Sequence, residues 1–199
     1  MQHPPDTLHA RKRRKARATI VSAAFQLFAE HGFDNVTVAA IAERAEVGRT
    51  TFFRYFGDKQ QVLFADDSAE VDRMCSYVRE RADLKPGTDL GDALALLREA
   101  ATASGPTALS PAHSAVLVRL LRESIDLRSR YLLTRQQRAL RLAGALTEAG
   151  TAENVAVLAA HTAMACDLTA MRLAEGPEAY PARVDEAHGL LRTLGASGG

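Results

Sequence analysis

Residues 37–59 read TVAAIAERAEVGRTTFFRYFGDK, and no other stretch of the chain constrains its fold as tightly. Val38, Ile41, Ala42 and Ala45 recur at helical spacing behind Thr37, whose hydroxyl suits an N-cap. The turn Ala45-Glu46-Val47-Gly48 follows, then a short helical pattern from Arg49 to about Tyr55, broken by Gly57-Asp58. A helix of about seven residues is not stable alone and must be held by its neighbours. Phe52 and Phe56, with Val47, point toward a core shared with Ile20, Leu27, Phe28, Ile41 and Ala45. Arg49, Thr50, Thr51, Phe53 and Tyr55 are left for the outside, where a Phe-Arg-Tyr cluster costs solubility unless a partner covers it.

Two helices across a tight turn, the second short and polar on its outer face, have the spacing of a helix-turn-helix, whose second helix enters the DNA major groove. Charge is distributed accordingly. The formal net charge is +1, yet residues 1–60 hold ten Lys/Arg against six Asp/Glu, and residues 61–199 hold fifteen against eighteen. A basic end on a mildly acidic remainder fits an anion-binding head on a near-neutral body. The run Arg11–Arg17, RKRRKAR, reads beside such a head as an arm contacting phosphates or the minor groove, with a solvated tail as the other reading. An arginine at position 49 can take guanine O6 and N7 together, which discriminates by about 1–3 kcal/mol. Thr51 can meet a phosphate or a thymine methyl, Tyr55 either DNA or the core, and Arg54 either DNA or an acid of the body.

The rest of the chain predicts an all-α fold. Hydrophobic residues make up 47%, Ala and Leu dominate, and alternating Val/Ile/Thr runs are scarce. Helical patterns run from about 13 to 31 with Gly32 as a left-handed cap, from Asp58 to about 81 as one long bridging helix, and over about 89–103. Further patterns start at Ser110-Pro111 and pass through Val116, Leu117, Leu120, Leu121 and Ile125, then cover about 128–149, 152–175 behind Thr151, and from about 181 onward. The 152–175 pattern is apolar on two faces, one with Val155, Leu158, Ala159, Thr162, Ala165 and Thr169, the other with Val157, His161, Met164, Leu168 and Met171. Such a helix must be buried on both sides, one of them by a second subunit. The expected domains are a disordered arm over 1–12, a DNA-binding head over 13–60, and a ligand-binding and dimerisation body over 61–199.

Catalytic and metal chemistry find no support. The six histidines lack metal-ligand spacing, and no acid, thiol or Gly-rich loop has catalytic context, so neither an enzyme nor a cofactor is expected. Cys75 and Cys166 read as buried reduced thiols, a redox pair being the other possibility. No run of ~18 apolar residues and no signal-peptide core occur, so a soluble cytoplasmic protein without a membrane partner is expected. Tyr77, Arg81, His113, Arg122, Tyr131, Arg138 and His161 are polar groups on body helices that could surround a ligand pocket.

The segment from about Arg17 to Leu63 resembles the N-terminal domain of the TetR family of transcriptional regulators. The block LFAEHGFDNVTVAAIAERA and the block TFFRYF-x-x-K stand in order and at the family's spacing. The resemblance implies that Thr37 contacts a phosphate, that Arg49, Thr50 and Thr51 face the major groove, that Phe53 and Tyr55 meet the backbone, and that Lys59 clamps a phosphate. It also implies a homodimer on a palindromic operator, joined through the last two long helices as a four-helix bundle. A small-molecule effector would release this repressor by shifting helix 58–81. Two other readings stand beside it: a ligand-independent architectural DNA-binding protein, and a helical enzyme with the head as a tether. The chain departs from the family where Ala-Glu-Val-Gly replaces the common turn Ala-Gly-Val-Ser. Either Glu46 therefore takes a left-handed conformation costing roughly 1 kcal/mol or the turn is adjusted, and Gly48 can cap the helix but offers no hydroxyl. Phe53 stands where tyrosine is frequent, so one phosphate hydrogen bond is lost there.

Overall fold

A computed structural model describes residues 8–65, 67–81, 88–104, 111–176 and 179–196. The described residues form helices and turns without strands, so the fold is all-α. The chain divides into two compact units, Met1–Ala65 and Asp66–Gly199.

The first unit contains α1 (Leu8–His31), α2 (Val38–Arg44), α3 (Arg49–Tyr55) and α4 (Lys59–Leu63). Its core is Ile20, Ala24, Phe25, Phe28, Ile41, Phe52, Phe56, Val62 and Leu63, each at most 2% exposed. Gly32 ends α1 at φ +76°, its N–H on the Phe28 carbonyl, as the pattern predicts. Thr37 caps α2 by accepting the Ala40 N–H at 3.1 Å, and Asp58 caps α4 by accepting the Gln61 N–H at 2.7 Å. α1 begins at Leu8, so residues 8–12 are helical rather than part of a disordered arm. The run of Arg, Lys and Ala there consists of good helix formers, which outweighs its charge. Residues 1–7 lie outside the described part.

One long helix over 58–81 does not form. α4 stops at Leu63, Phe64 and Ala65 turn, and α5 (Asp67–Glu80) begins beyond them. The Phe64 and Ala65 N–H groups bond three residues back, to Gln61 and Val62, and the Arg17 guanidinium takes the Ala65 carbonyl. That carbonyl would otherwise accept the next helical bond, so a side chain from α1 ends the ladder.

The second unit contains α5, α6 (Leu90–Ala103), α7 (Pro111–Glu123), α8 (Ile125–Glu148), α9 (Glu153–Leu173) and α10 (Tyr180–Ala196). α8 and α9 form a hairpin whose turn has Gly150 at φ +103° and the Thr151 N–H on the Leu146 carbonyl. Thr151 itself is buried and gives no cap; Ala152 occupies that position without a side-chain bond. Ile125 is not an inward residue of α7. Ser124 starts a new helix by accepting the Leu127 N–H, which leaves Ile125 at its first turn and 71% exposed. Ser110, expected to start α7, lies outside the described residues.

The two apolar faces expected for α9 are also redrawn. Its buried side is small: Ala156, Ala159, Ala160, Cys166 and Ala170, of which the first three share a core with Ala139, Leu142, Ala143, Ala145 and Leu146 of α8. The larger Val157, Leu158 and Leu173 are exposed, and Val155, His161, Met164, Leu168 and Met171 half-buried. Small residues let the α8 and α9 backbones approach closely, which a hydropathy pattern does not reveal. Burial pushes the thiols of Cys75 and Cys166 above their ordinary pKa, which keeps them protonated and unreactive at neutral pH. Ala159→Leu, at a fully buried point of this seam, is expected to destabilise the protein by about 1–3 kcal/mol, read as a lower urea midpoint.

Candidate nucleic-acid interface and body cavity

α3 is placed from both ends. Ala45 closes α2, and the chain reverses through Glu46 at φ +54°, whose N–H bonds the Glu43 carbonyl, while the Val47 N–H reaches back to Ala42 at 2.9 Å. Of the two outcomes open to this turn, a left-handed Glu46 or an adjusted turn, the structure takes the first. Gly48 is the N-cap of α3 and supplies no side-chain bond; its carbonyl accepts the Phe52 N–H. Phe52 and Phe56 pack 5.8 Å apart in the core, and the Arg17 guanidinium lies over Phe56 at 5.0 Å. Glu30 of α1 accepts two hydrogen bonds from Arg44 of α2, and that guanidinium holds the Glu30 carboxyl below its ordinary pKa.

Arg49, Thr50, Phe53 and Thr37 are exposed, and Thr51 and Tyr55 are half-buried, so six of the seven residues singled out for DNA reach solvent. The Phe53 ring meets Phe52 edge-on at 5.5 Å and is 51% exposed. Arg54 lies over the Tyr55 ring at 5.3 Å rather than on an acid.

Lys59 is placed differently from its expected role. Its ammonium donates to the carbonyls of Phe33 (2.8 Å), Asp34 (3.3 Å) and Val36 (2.9 Å), and lies 4.4 Å from the Phe33 ring centre. An ammonium has three N–H donors, and three carbonyls take them. Lys59 is therefore built into the loop between α1 and α2. The sequence offered no signal for this, because the acceptors are main-chain groups more than twenty residues away.

The second unit contains a half-open cavity of about 900 Å³ lined by residues of α5 to α10. Three of the seven pocket candidates, Arg122, Tyr131 and Arg138, line it. The other four lie elsewhere. Arg81 stacks on Tyr77 at 4.1 Å, and both approach Glu99 at the surface. His113 is on α7 but not on the cavity wall, and His161 bonds its own Val157 carbonyl in a shallow surface depression with Glu153 and Leu158. The cavity also takes in Glu70, Arg135, Asp167 and Tyr180, which were not singled out from the sequence. Glu70 and Arg138 form an ion pair at 2.8 Å, Arg135 Nε donates to the Tyr131 hydroxyl at 2.7 Å, and the Tyr180 hydroxyl donates to Asp167 at 3.2 Å. Burial, and then the Asp167 charge, push the Tyr180 phenol far above its ordinary pKa, so it stays a hydrogen-bond donor.

This arrangement in the first unit is a helix-turn-helix. Residues 20–65 match the model of the bacterial regulatory proteins of the tetR family. Over 62 residues the chain is 40% identical to the HTH-type transcriptional regulator TcmR of Streptomyces glaucescens, covering 31% of this chain and 27% of that one. Over 65 residues it is 34% identical to the HTH-type transcriptional repressor AcnR of Corynebacterium efficiens, covering 33% and 35% respectively. A TetR-family regulator structure from Streptomyces coelicolor is similar at 25% identity and a TM-score of 0.46, over 91% of this chain and 98% of that one. The matched part spans about a third or less of the length of these two curated relatives. The likeness to the tetR family of bacterial regulatory proteins is thus carried by residues 20–65 of the first unit. Among the described residues, no helix is long and apolar enough to cross a membrane, and no group of three or more His, Cys, Asp or Glu could hold a metal ion.

Glu46→Gly is expected to stabilise the protein by up to about 1 kcal/mol, since glycine adopts positive φ without the Cβ penalty. Lys59→Met is expected to lower the melting temperature, with three carbonyls losing their donor. A Lys59→Met protein as stable as the parent would show that the ammonium is dispensable to the loop.

Proposed function

We propose that this chain is a ligand-responsive, DNA-binding transcriptional regulator: a repressor that binds a palindromic operator as a homodimer and is released by a small molecule. The observation that carries the reading is the outer face of α3, where Arg49, Thr50 and Phe53 are exposed beside half-buried Thr51 and Tyr55. Arg49 is the base-reading residue, suited to a guanine edge. Thr37 and Tyr55 meet phosphates, and Lys59 acts by holding the loop through which Thr37 is presented.

Dimerisation through α9 and α10 is supported by the large apolar side chains they leave uncovered, Val157, Leu158, Leu173 and Leu190. A twofold pair would set its recognition helices about 34–36 Å apart, one turn of DNA. The cavity of about 900 Å³ is within the size range of small-molecule sites and counts against a constitutive architectural protein, for which a solid body would serve. Release is no longer carried by one rigid helix. The ligand acts on α5, whose Glu70 and Met74 line the cavity and which follows the first unit directly in the chain.

Selection from random DNA with the full-length protein is expected to return a twofold-symmetric site. Arg49→Ala is then expected to relax base preference at one position per half-site, at a cost of about 1–3 kcal/mol, measured by competition among operator variants. A uniform loss over all variants would remove Arg49 from base reading, and selection of no common half-site would overturn sequence-specific regulation.

A further inference from the structure

Among the described residues Glu70 is the one charged side chain that counts as buried, and its partner Arg138 is as well covered, each side chain being 11% exposed. The pair ties α5 to α8 across the cavity wall. Two ions withdrawn from water gain little over apolar packing, but removing one strands the other. Such a pair is suited to exchange, because an incoming charge of the right sign can replace one member without adding a buried charge.

The sign follows from how the groups are set. Arg135 and Arg138 stand three residues apart on one helix and both line the cavity, with Arg135 held against Tyr131. The five carboxylates on the wall, Glu70, Glu123, Asp167, Glu175 and Asp185, are scattered over different elements, and Asp185 is paired with Arg98 while Asp167 accepts the Tyr180 hydroxyl. Paired guanidinium groups present N–H donors matched to the two oxygens of a carboxylate. Beyond them the wall is mixed: Arg122, Glu123 and His188 stand on it beside an apolar part that includes Met74, Met164 and Met171, every methionine after Met1. Thioether side chains adapt to the shape of what they contact. The tail is thereby accommodated and the head group selected.

Resting on the cavity as a small-molecule site, we propose that its ligand is an amphipathic carboxylate. Its head bridges Arg135 and Arg138 and displaces Glu70 from Arg138, unlatching α5 from α8.

The test titrates the full-length protein calorimetrically with decanoate, decanol and decylamine, which share a tail and differ in head. Decanoate is expected to bind about tenfold or more tightly than either of the others. Glu70→Gln, which removes the competing charge, is expected to tighten decanoate several-fold and leave decanol unchanged. Arg135→Gln leaves the latch in place and is expected to bring decanoate down to the affinity of decanol, which decides the head group even if Glu70→Gln fails to fold. Decanoate, but not decanol, is expected to speed amide exchange in α5. Equal or tighter binding of decanol or decylamine would overturn the carboxylate while leaving the cavity a ligand site. Selective decanoate binding with no response to Glu70→Gln and no change in α5 exchange would overturn the latch. Binding of none of the three would overturn the proposal and the cavity reading together.

Discussion

The loop between α1 and α2 turns several carbonyls toward one point, and no helix supplies donors for them. The Lys59 ammonium fills that point, bonding Phe33, Asp34 and Val36 and covering the Phe33 ring. One side chain thereby joins the end of α1, the start of α2 and the start of α4. α3 lies between α2 and α4 and is only seven residues long, so it has no stability of its own. Its far end is held by a second cation, Arg17, which covers Phe56 and takes the Ala65 carbonyl. The two cations spent on the inner side of the unit are the reason a short, polar helix can stand with its other face outward.

Much of this unit could be read from local sequence. Thr37, Asp58 and Gly32 act within a few residues of their own positions, and Phe52 and Phe56 share a face by spacing alone. The left-handed Glu46 was one of two outcomes that comparison with the family's common turn left open. The break at Phe64–Ala65 could not be read. Val62, Leu63, Val71, Met74 and Val78 keep a helical period through it, no Gly or Pro marks it, and the group that ends the ladder comes from 48 residues earlier. The loop bonds of Lys59 could not be read for the same reason, because its partners are main-chain atoms joined to it only by folding.

The body was less legible, and the errors share a cause. A hydropathy pattern assigns large apolar side chains to the interior and treats alanine as neutral. In α9 the opposite holds: the alanines are buried because the helices approach closely, and Val157, Leu158 and Leu173 are left outside. Of the cavity's polar groups, Tyr131 and Arg138 could be noticed on one helix. Glu70, Asp167 and Tyr180 arrive from α5, α9 and the start of α10, and no spacing in the sequence announces that they meet.

The alanines have a second consequence, for divergence rather than stability. Ala101, Ala115, Ala139, Ala160 and Ala163 all line the cavity, so much of its volume is space that larger side chains would occupy. An alanine codon becomes a valine codon by one nucleotide change. The capacity of the cavity can therefore shrink in small independent steps from five points on its wall, while the helix-turn-helix and its contacts stay as they are. On the proposed function, related chains would then answer different molecules while still reading the same DNA.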